Sequence, residues 1–163
     1  MAMTNTNPET MDWTFWFYWI MATTIGWVIG NLFLSVIPVI ISGAAISVLQ
    51  GVVLFNRIPK AWRWAVISSI GWIAGYILFL VFFRDAMSFL AGPIIGGTVG
   101  IAQWLLLRRE FDWAGWWIII CVLAWTTGLT TAPGLLTSGA LPGALTGLTL
   151  VILFRYSPIK KQK

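Results

Sequence analysis

Two carboxamides and a hydroxyl are the side chains in this sequence whose type and spacing suggest chemistry. Gly43-x-x-x-Ser47-x-x-Gln50 recurs as Gly96-x-x-x-Gly100-x-x-Gln103 and, more loosely, as Gly139-x-x-x-Gly143-x-x-Thr146. A carboxamide carries two N–H donors and an acceptor oxygen, and in an apolar setting each must find a partner or cost free energy. Gln50 and Gln103 therefore read in two ways. They either bond to indole N–H groups or backbone of a neighbouring helix, or they contact a ligand, for example a pigment's central metal or a polar headgroup.

Acid–base and metal chemistry have little to draw on. The chain has no histidine and one cysteine, Cys121, so the usual general base and the commonest metal ligand are both missing. Cys121 falls in an apolar run, where a thiol behaves as a small hydrophobe. The acids Glu9, Asp12, Asp85, Glu110 and Asp112 are expected in tails or loops. No catalytic residue, metal site or nucleic-acid surface is expected, and any cofactor is unknown from sequence.

Tryptophan supplies the second motif. Gly26-Trp27-Val28-Ile29-Gly30 is matched by Gly71-Trp72-Ile73-Ala74-Gly75 and by Ala124-Trp125-Thr126-Thr127-Gly128. Trp19, Trp64 and Trp117 precede these units at comparable spacing. Small residues four apart let a neighbouring backbone approach closely. Gly26, Gly30, Gly71, Gly75, Gly96, Gly100, Gly128, Gly139 and Gly143 are accordingly read as helix-packing positions. Trp27, Trp72 and Trp125 either fill the volume beside those faces or line an axial pocket for a lipid, quinone or pigment. Trp13, Trp16, Trp19, Trp62, Trp64, Trp104, Trp113, Trp116 and Trp117 fall near helix ends, where an interfacial belt of indoles is expected.

The elements that position these residues follow from composition. The chain is 59% hydrophobic and 9% charged, with a mean hydropathy of +0.87. Crossing a bilayer as helix takes roughly 20 apolar residues. Trp64–Phe83 and Ala86–Leu107 are charge-free over about one such length, and Trp13–Asn56 and Trp113–Phe154 over about two. The long runs divide at Ser35-Val36-Ile37-Pro38 and at Thr130-Thr131-Ala132-Pro133-Gly134, where proline favours a turn. Six helices are predicted, at about 13–36, 38–56, 61–83, 87–108, 112–131 and 138–156. Pro38, Pro93 and Pro142 lie near the starts of the even ones, where a missing N–H costs little.

The predicted fold class is all-α: a polytopic membrane protein of six transmembrane helices, arranged as three tandem two-helix hairpins. The repeats are parallel, related by an axis along the membrane normal. Residues 1–12 form a short polar tail without the basic segment of a signal peptide, residues 13–156 the membrane domain, and residues 157–163 a basic tail. Every basic residue except Arg84 falls on the side of the two termini, which by the positive-inside rule is the cytoplasmic side. The C-terminal tail suits anionic lipid headgroups.

Gly96-x-x-x-Gly100-x-x-Gln103-Trp104-Leu105-x-Leu107-Arg108-Arg109, followed by Ala114-Gly115-Trp116-Trp117-Ile118, resembles the repeat of uncharacterised multi-spanning membrane proteins common in cyanobacteria and some other bacteria. With the weaker copies the resemblance covers most of residues 13–155. It implies a bacterial inner membrane or thylakoid membrane, and carries no activity. Mitochondrial carriers also have three two-helix repeats, but their Pro-x-acidic-x-x-basic signature is absent here. The expected function is a non-catalytic integral membrane scaffold or accessory subunit of a larger membrane complex. The alternative is a binding protein or carrier for an apolar small molecule.

Overall fold

The computed structural model describes residues 11–32, 38–83, 88–131 and 134–156. Six α-helices are present among the described residues: α1 Trp13–Leu32, α2 Pro38–Leu54, α3 Trp62–Phe82, α4 Ala91–Glu110, α5 Trp116–Thr126 and α6 Thr137–Tyr156. No strand occurs among the described residues. Residues 1–10, 33–37, 84–87, 132–133 and 157–163 lie outside them, and with them the divisions expected at Ser35-Val36-Ile37 and Ala132-Pro133, the loop residue Asp85 and the C-terminal basic tail.

Each helix packs on its neighbours in sequence, and α6 packs on α1, so the six close into a ring. The small-residue motifs line these contacts. A Cβ added at Gly26 would lie 2.6 Å from the Ile46 backbone nitrogen of α2, and one at Gly71 3.0 Å from Val99 Cα of α4. Gly75 faces Thr98 of α4, Gly30 faces Ser42 of α2, and Gly128 faces Pro142 of α6. The motif on the even helices serves the other set of interfaces. Gly96 and Gly100 meet Cys121 and Ile118 of α5, while Gly139 and Gly143 meet Thr24 and Ile20 of α1. The odd-helix motif thus closes each hairpin, and the even-helix motif joins one hairpin to the next. Close backbone approach is what such stripes provide.

Helix ends depart from the sequence reading where local bonds intervene. Asp12, assigned to the tail, caps α1: its carboxylate accepts from the Phe15 N–H at 2.9 Å and pairs with Arg57 between α2 and α3. An oxygen side chain at this position satisfies an otherwise orphaned N–H. The fourth helix, expected from about 87, begins as a 3-10 turn over Ser88–Leu90 and becomes α-helix at Ala91. It runs past Leu107 through Arg108 and Arg109 to Glu110, so Glu110, expected in a loop, belongs to the last turn of α4. The fifth, expected over 112–131, is α-helical only over Trp116–Thr126 and widens to a π-helix over Thr127–Thr131. Thr126, Thr127 and Thr130 donate their hydroxyls to carbonyls three or four residues back, bonds that compete with the regular ladder.

Two helices, α3 and α6, are long and apolar enough by length and composition to cross a membrane; α2 and α5 with its π extension are apolar but shorter.

Candidate functional site

The two glutamines sit in the middle of the ring, at the same level on α2 and α4. Gln50 Oε1 accepts from the Trp64 indole N–H at 3.2 Å, and Gln50 Nε2 donates to Thr23 Oγ1 at 3.0 Å. Gln103 repeats this one hairpin later: its Oε1 accepts from Trp117 at 3.0 Å and its Nε2 donates to Ser68 Oγ at 3.0 Å. The third copy closes the circle through Thr146, whose Oγ1 accepts from the Trp19 indole at 3.0 Å and donates to the Pro142 carbonyl at 2.6 Å. Each glutamine therefore ties three consecutive helices, and Thr146 ties α6 to α1.

Trp19, Trp64 and Trp117 are correspondingly 0%, 2% and 1% exposed. Their assignment to an interfacial belt is corrected by this burial, since an indole with its N–H bonded inside the bundle has no need of an interface. They pack edge to face, with centroids 5.7 Å apart for Trp19–Trp64 and 5.9 Å for Trp64–Trp117. Trp13, Trp62, Trp113 and Trp116 are exposed, as a belt requires. Trp16 is half-buried and donates to the Ala144 carbonyl at 2.9 Å.

Trp27, Trp72 and Trp125 make a second layer. Trp125 lies edge-on to Trp72 at 4.6 Å between centroids and tilted against Trp27 at 6.1 Å. Trp72 and Trp125 are buried and Trp27 is half-buried. The space between the layers is a cavity of about 10 Å³, bounded by Gln50, Gln103, Thr146 and the facing rings. That is roughly the volume a single water needs. The rings fill the axis, and no organic molecule fits between them.

Sequence reasoning passed over Thr23 and Ser68, and it read Cys121 as a small hydrophobe without placing it beside Gln103. Their signal was present: each follows Trp19, Trp64 or Trp117 by four residues, one helical turn along the same face. The third copy departs as a matched pair. Cys121 stands where the other hairpins have a hydroxyl, and Thr146 stands where they have a carboxamide that would reach for it. Cys121 Sγ instead lies 3.8 Å from Gln103 Oε1. No group of His, Cys, Asp and Glu able to hold a metal occurs among the described residues.

No family model, curated protein or solved structure matches this chain.

The bonds of this layer are satisfied internally and tie six helices in register. Replacing Gln103 by Leu leaves the Trp117 indole and the Ser68 hydroxyl without their partner. Interhelical bonds of this kind contribute about 0.6–2 kcal/mol each, so a modest fall in thermal stability in detergent is expected. In a double-mutant cycle, Trp117→Phe should cost distinctly less in the Gln103→Leu background than in the wild type. Strict additivity would show that the two side chains do not interact.

Proposed function

We propose that this chain is a non-catalytic integral membrane scaffold, an accessory subunit of a larger membrane complex. Its six helices form three membrane-crossing hairpins, with both termini on the cytoplasmic side of a bacterial inner or thylakoid membrane. The observation that carries the proposal is the distribution of polarity. Val52, Ile70, Ile77, Val81, Ile101 and Leu123 point outward and are exposed, while Gln50, Gln103, Ser47, Ser68, Thr23 and Thr146 are buried and bonded to one another or to backbone. Hydrocarbon as solvent favours this arrangement, because polar groups must be satisfied inside the protein. A filled axis supports a structural role over passage of a solute through the bundle.

The second reading, a binding protein for an apolar small molecule, is supported by two apolar grooves on the outer surface. One, between α5 and α6, has a volume of about 450 Å³; the other, between α3 and α4, about 420 Å³.

Purification in mild detergent separates the two. The scaffold reading expects a protein partner in fixed stoichiometry, whereas a visible absorption band or a co-extracted quinone would favour the binding protein. Orientation is read separately by single cysteines at exposed positions. Leu136→Cys is expected to react with an impermeant maleimide from outside intact cells, and Asn56→Cys only after the membrane is opened. The reverse pattern would overturn the topology.

A further inference from the structure

At the end of the bundle that carries the basic residues, two spaces adjoin between α3 and α4. One is a cavity of about 90 Å³ with Lys60, Arg63, Arg109 and Glu110 in its wall. The other is the 420 Å³ outer groove, where Trp62, Val66, Ile67 and Leu105 make an apolar channel and Arg63, Arg108 and Arg109 rim it. Arg63, Leu106 and Arg109 line both, so the chamber, whose wall also includes Leu54, Ile58 and Trp64, adjoins the apolar groove.

Glu110 is the unusual member. It is 9% exposed, closes α4, and its carboxylate makes no hydrogen bond or ion pair with a described residue. A carboxylate at a helix C-terminus also opposes the helix dipole. The surrounding cations are not spent on it. Arg63 lies over the Trp62 ring at 5.7 Å and Arg108 over Trp104 at 4.9 Å, which leaves their N–H edges available.

We propose that this is a binding site for one anionic phospholipid with a hydroxyl-bearing headgroup. Arg63, Arg108 and Arg109 take the phosphodiester, Glu110 accepts from the headgroup hydroxyls, and an acyl chain lies along Val66, Ile67 and Leu105 beside Trp62. A basic pocket between helices suits such headgroups, and a guanidinium fork matches phosphate geometry. The chamber, several times the ~10–15 Å³ that one water needs, is large enough for more than solvent.

The neighbouring hairpin supplies a built-in comparison. In the register that aligns Gln103 with Thr146, Arg109 corresponds to Ile152 and Glu110 to Leu153; aligning Trp64 with Trp117 sets Trp116 opposite Arg63. Trp116, Ile152 and Leu153 line the α5–α6 groove, which has similar volume but no cation or carboxylate in its wall. In the first hairpin the corresponding end holds Arg57, which is paired with Asp12. Among the described residues, a buried acid and unpaired cations share one cavity wall in the middle copy.

The site rests on the membrane reading, and the test reads it independently of orientation. Purified protein in mild detergent is incubated with phosphatidylglycerol, phosphatidylmethanol or phosphatidylcholine and examined by native mass spectrometry. The wild type is expected to hold one phosphatidylglycerol under activation that strips phosphatidylcholine, and to hold it several-fold better than phosphatidylmethanol, which has the same charge and no hydroxyl. Arg63→Gln with Arg109→Gln should lower retention at least about tenfold, given the attraction of each cation for an anionic lipid, while Ile152→Ala leaves it unchanged. Equal retention of phosphatidylglycerol and phosphatidylcholine by the wild type overturns the site, and that comparison needs no variant to fold. Equal retention of phosphatidylglycerol and phosphatidylmethanol overturns the role of Glu110. Cysteine labelling at Asn56 and Leu136 reports orientation alone, so either proposal can fail without the other.

Discussion

Trp64→Ala is expected to be among the most damaging single substitutions in the bundle. Trp64 is 2% exposed, packs edge to face on both Trp19 and Trp117, and donates to Gln50. Truncating a buried aromatic side chain to alanine costs about 3–5 kcal/mol through lost transfer free energy and the cavity left behind. Here the Gln50 oxygen also loses its donor. Trp64→Phe keeps one aromatic ring but removes the N–H and part of the bicycle. Its cost should combine the ~1–3 kcal/mol of one unsatisfied buried acceptor with a cavity smaller than that left by alanine. Thermal unfolding in detergent, followed by loss of the monodisperse peak in size-exclusion chromatography, should rank them wild type, Trp64→Phe, Trp64→Ala. Equal stability of the two variants would mean that the indole contributes through its hydrogen bond and not through packing.

Gly96→Ala is expected to push α4 and α5 apart. The added methyl would sit 2.5 Å from the Cys121 carbonyl oxygen and 3.0 Å from Val122 Cα, and both neighbours are backbone. A backbone cannot swing aside as a side-chain tip can, so the helices must separate, at the ~1–3 kcal/mol or more that overpacking costs. Gly97→Ala, one residue along, is the control. Its methyl would meet only Val122 Cγ2 at 3.7 Å, an ordinary contact, and alanine is the better helix former. Gly97→Ala should melt at or slightly above the wild type and Gly96→Ala clearly below it. If both behave alike, the close approach of α4 and α5 is not what the glycine motif secures.

The helices and their packing stripes were legible because both rest on short-range signals. Charge-free runs marked the six elements, and glycines four apart marked which faces meet. That Gln50 and Gln103 could bond to an indole or backbone of a neighbouring helix was legible from their residue type and apolar setting. That Trp64 and Trp117 are the indoles they take was not. Nor was the fate of the Trp19 indole. Its acceptor, Thr146, lies at the far end of the sequence, and which helix closes on α1 is decided by how many hairpins complete a turn. Burial of Trp19, Trp64 and Trp117 was missed for a related reason: distance from a helix end says how deep a ring lies along the axis, but not whether it points inward. Glu110 was placed in a loop because its charged neighbours suggested one, whereas the α4 ladder continues through them.

Closure of the ring sets an order of completion. Synthesis runs from α1 to α6, so Trp19 is the first of the six paired or layered rings to be made and the last to receive its acceptor. Until Thr146 arrives, the α1 face that will meet Gly139 and Gly143 of α6 is an open edge, and its counterpart on the growing chain is whichever even helix was made last. Each joint is head to tail, an even helix meeting the next odd one, and joints of that kind form rings or extend without limit depending only on the angle each unit turns. In this chain the third hairpin meets the first, and the molecule ends its own polymerisation.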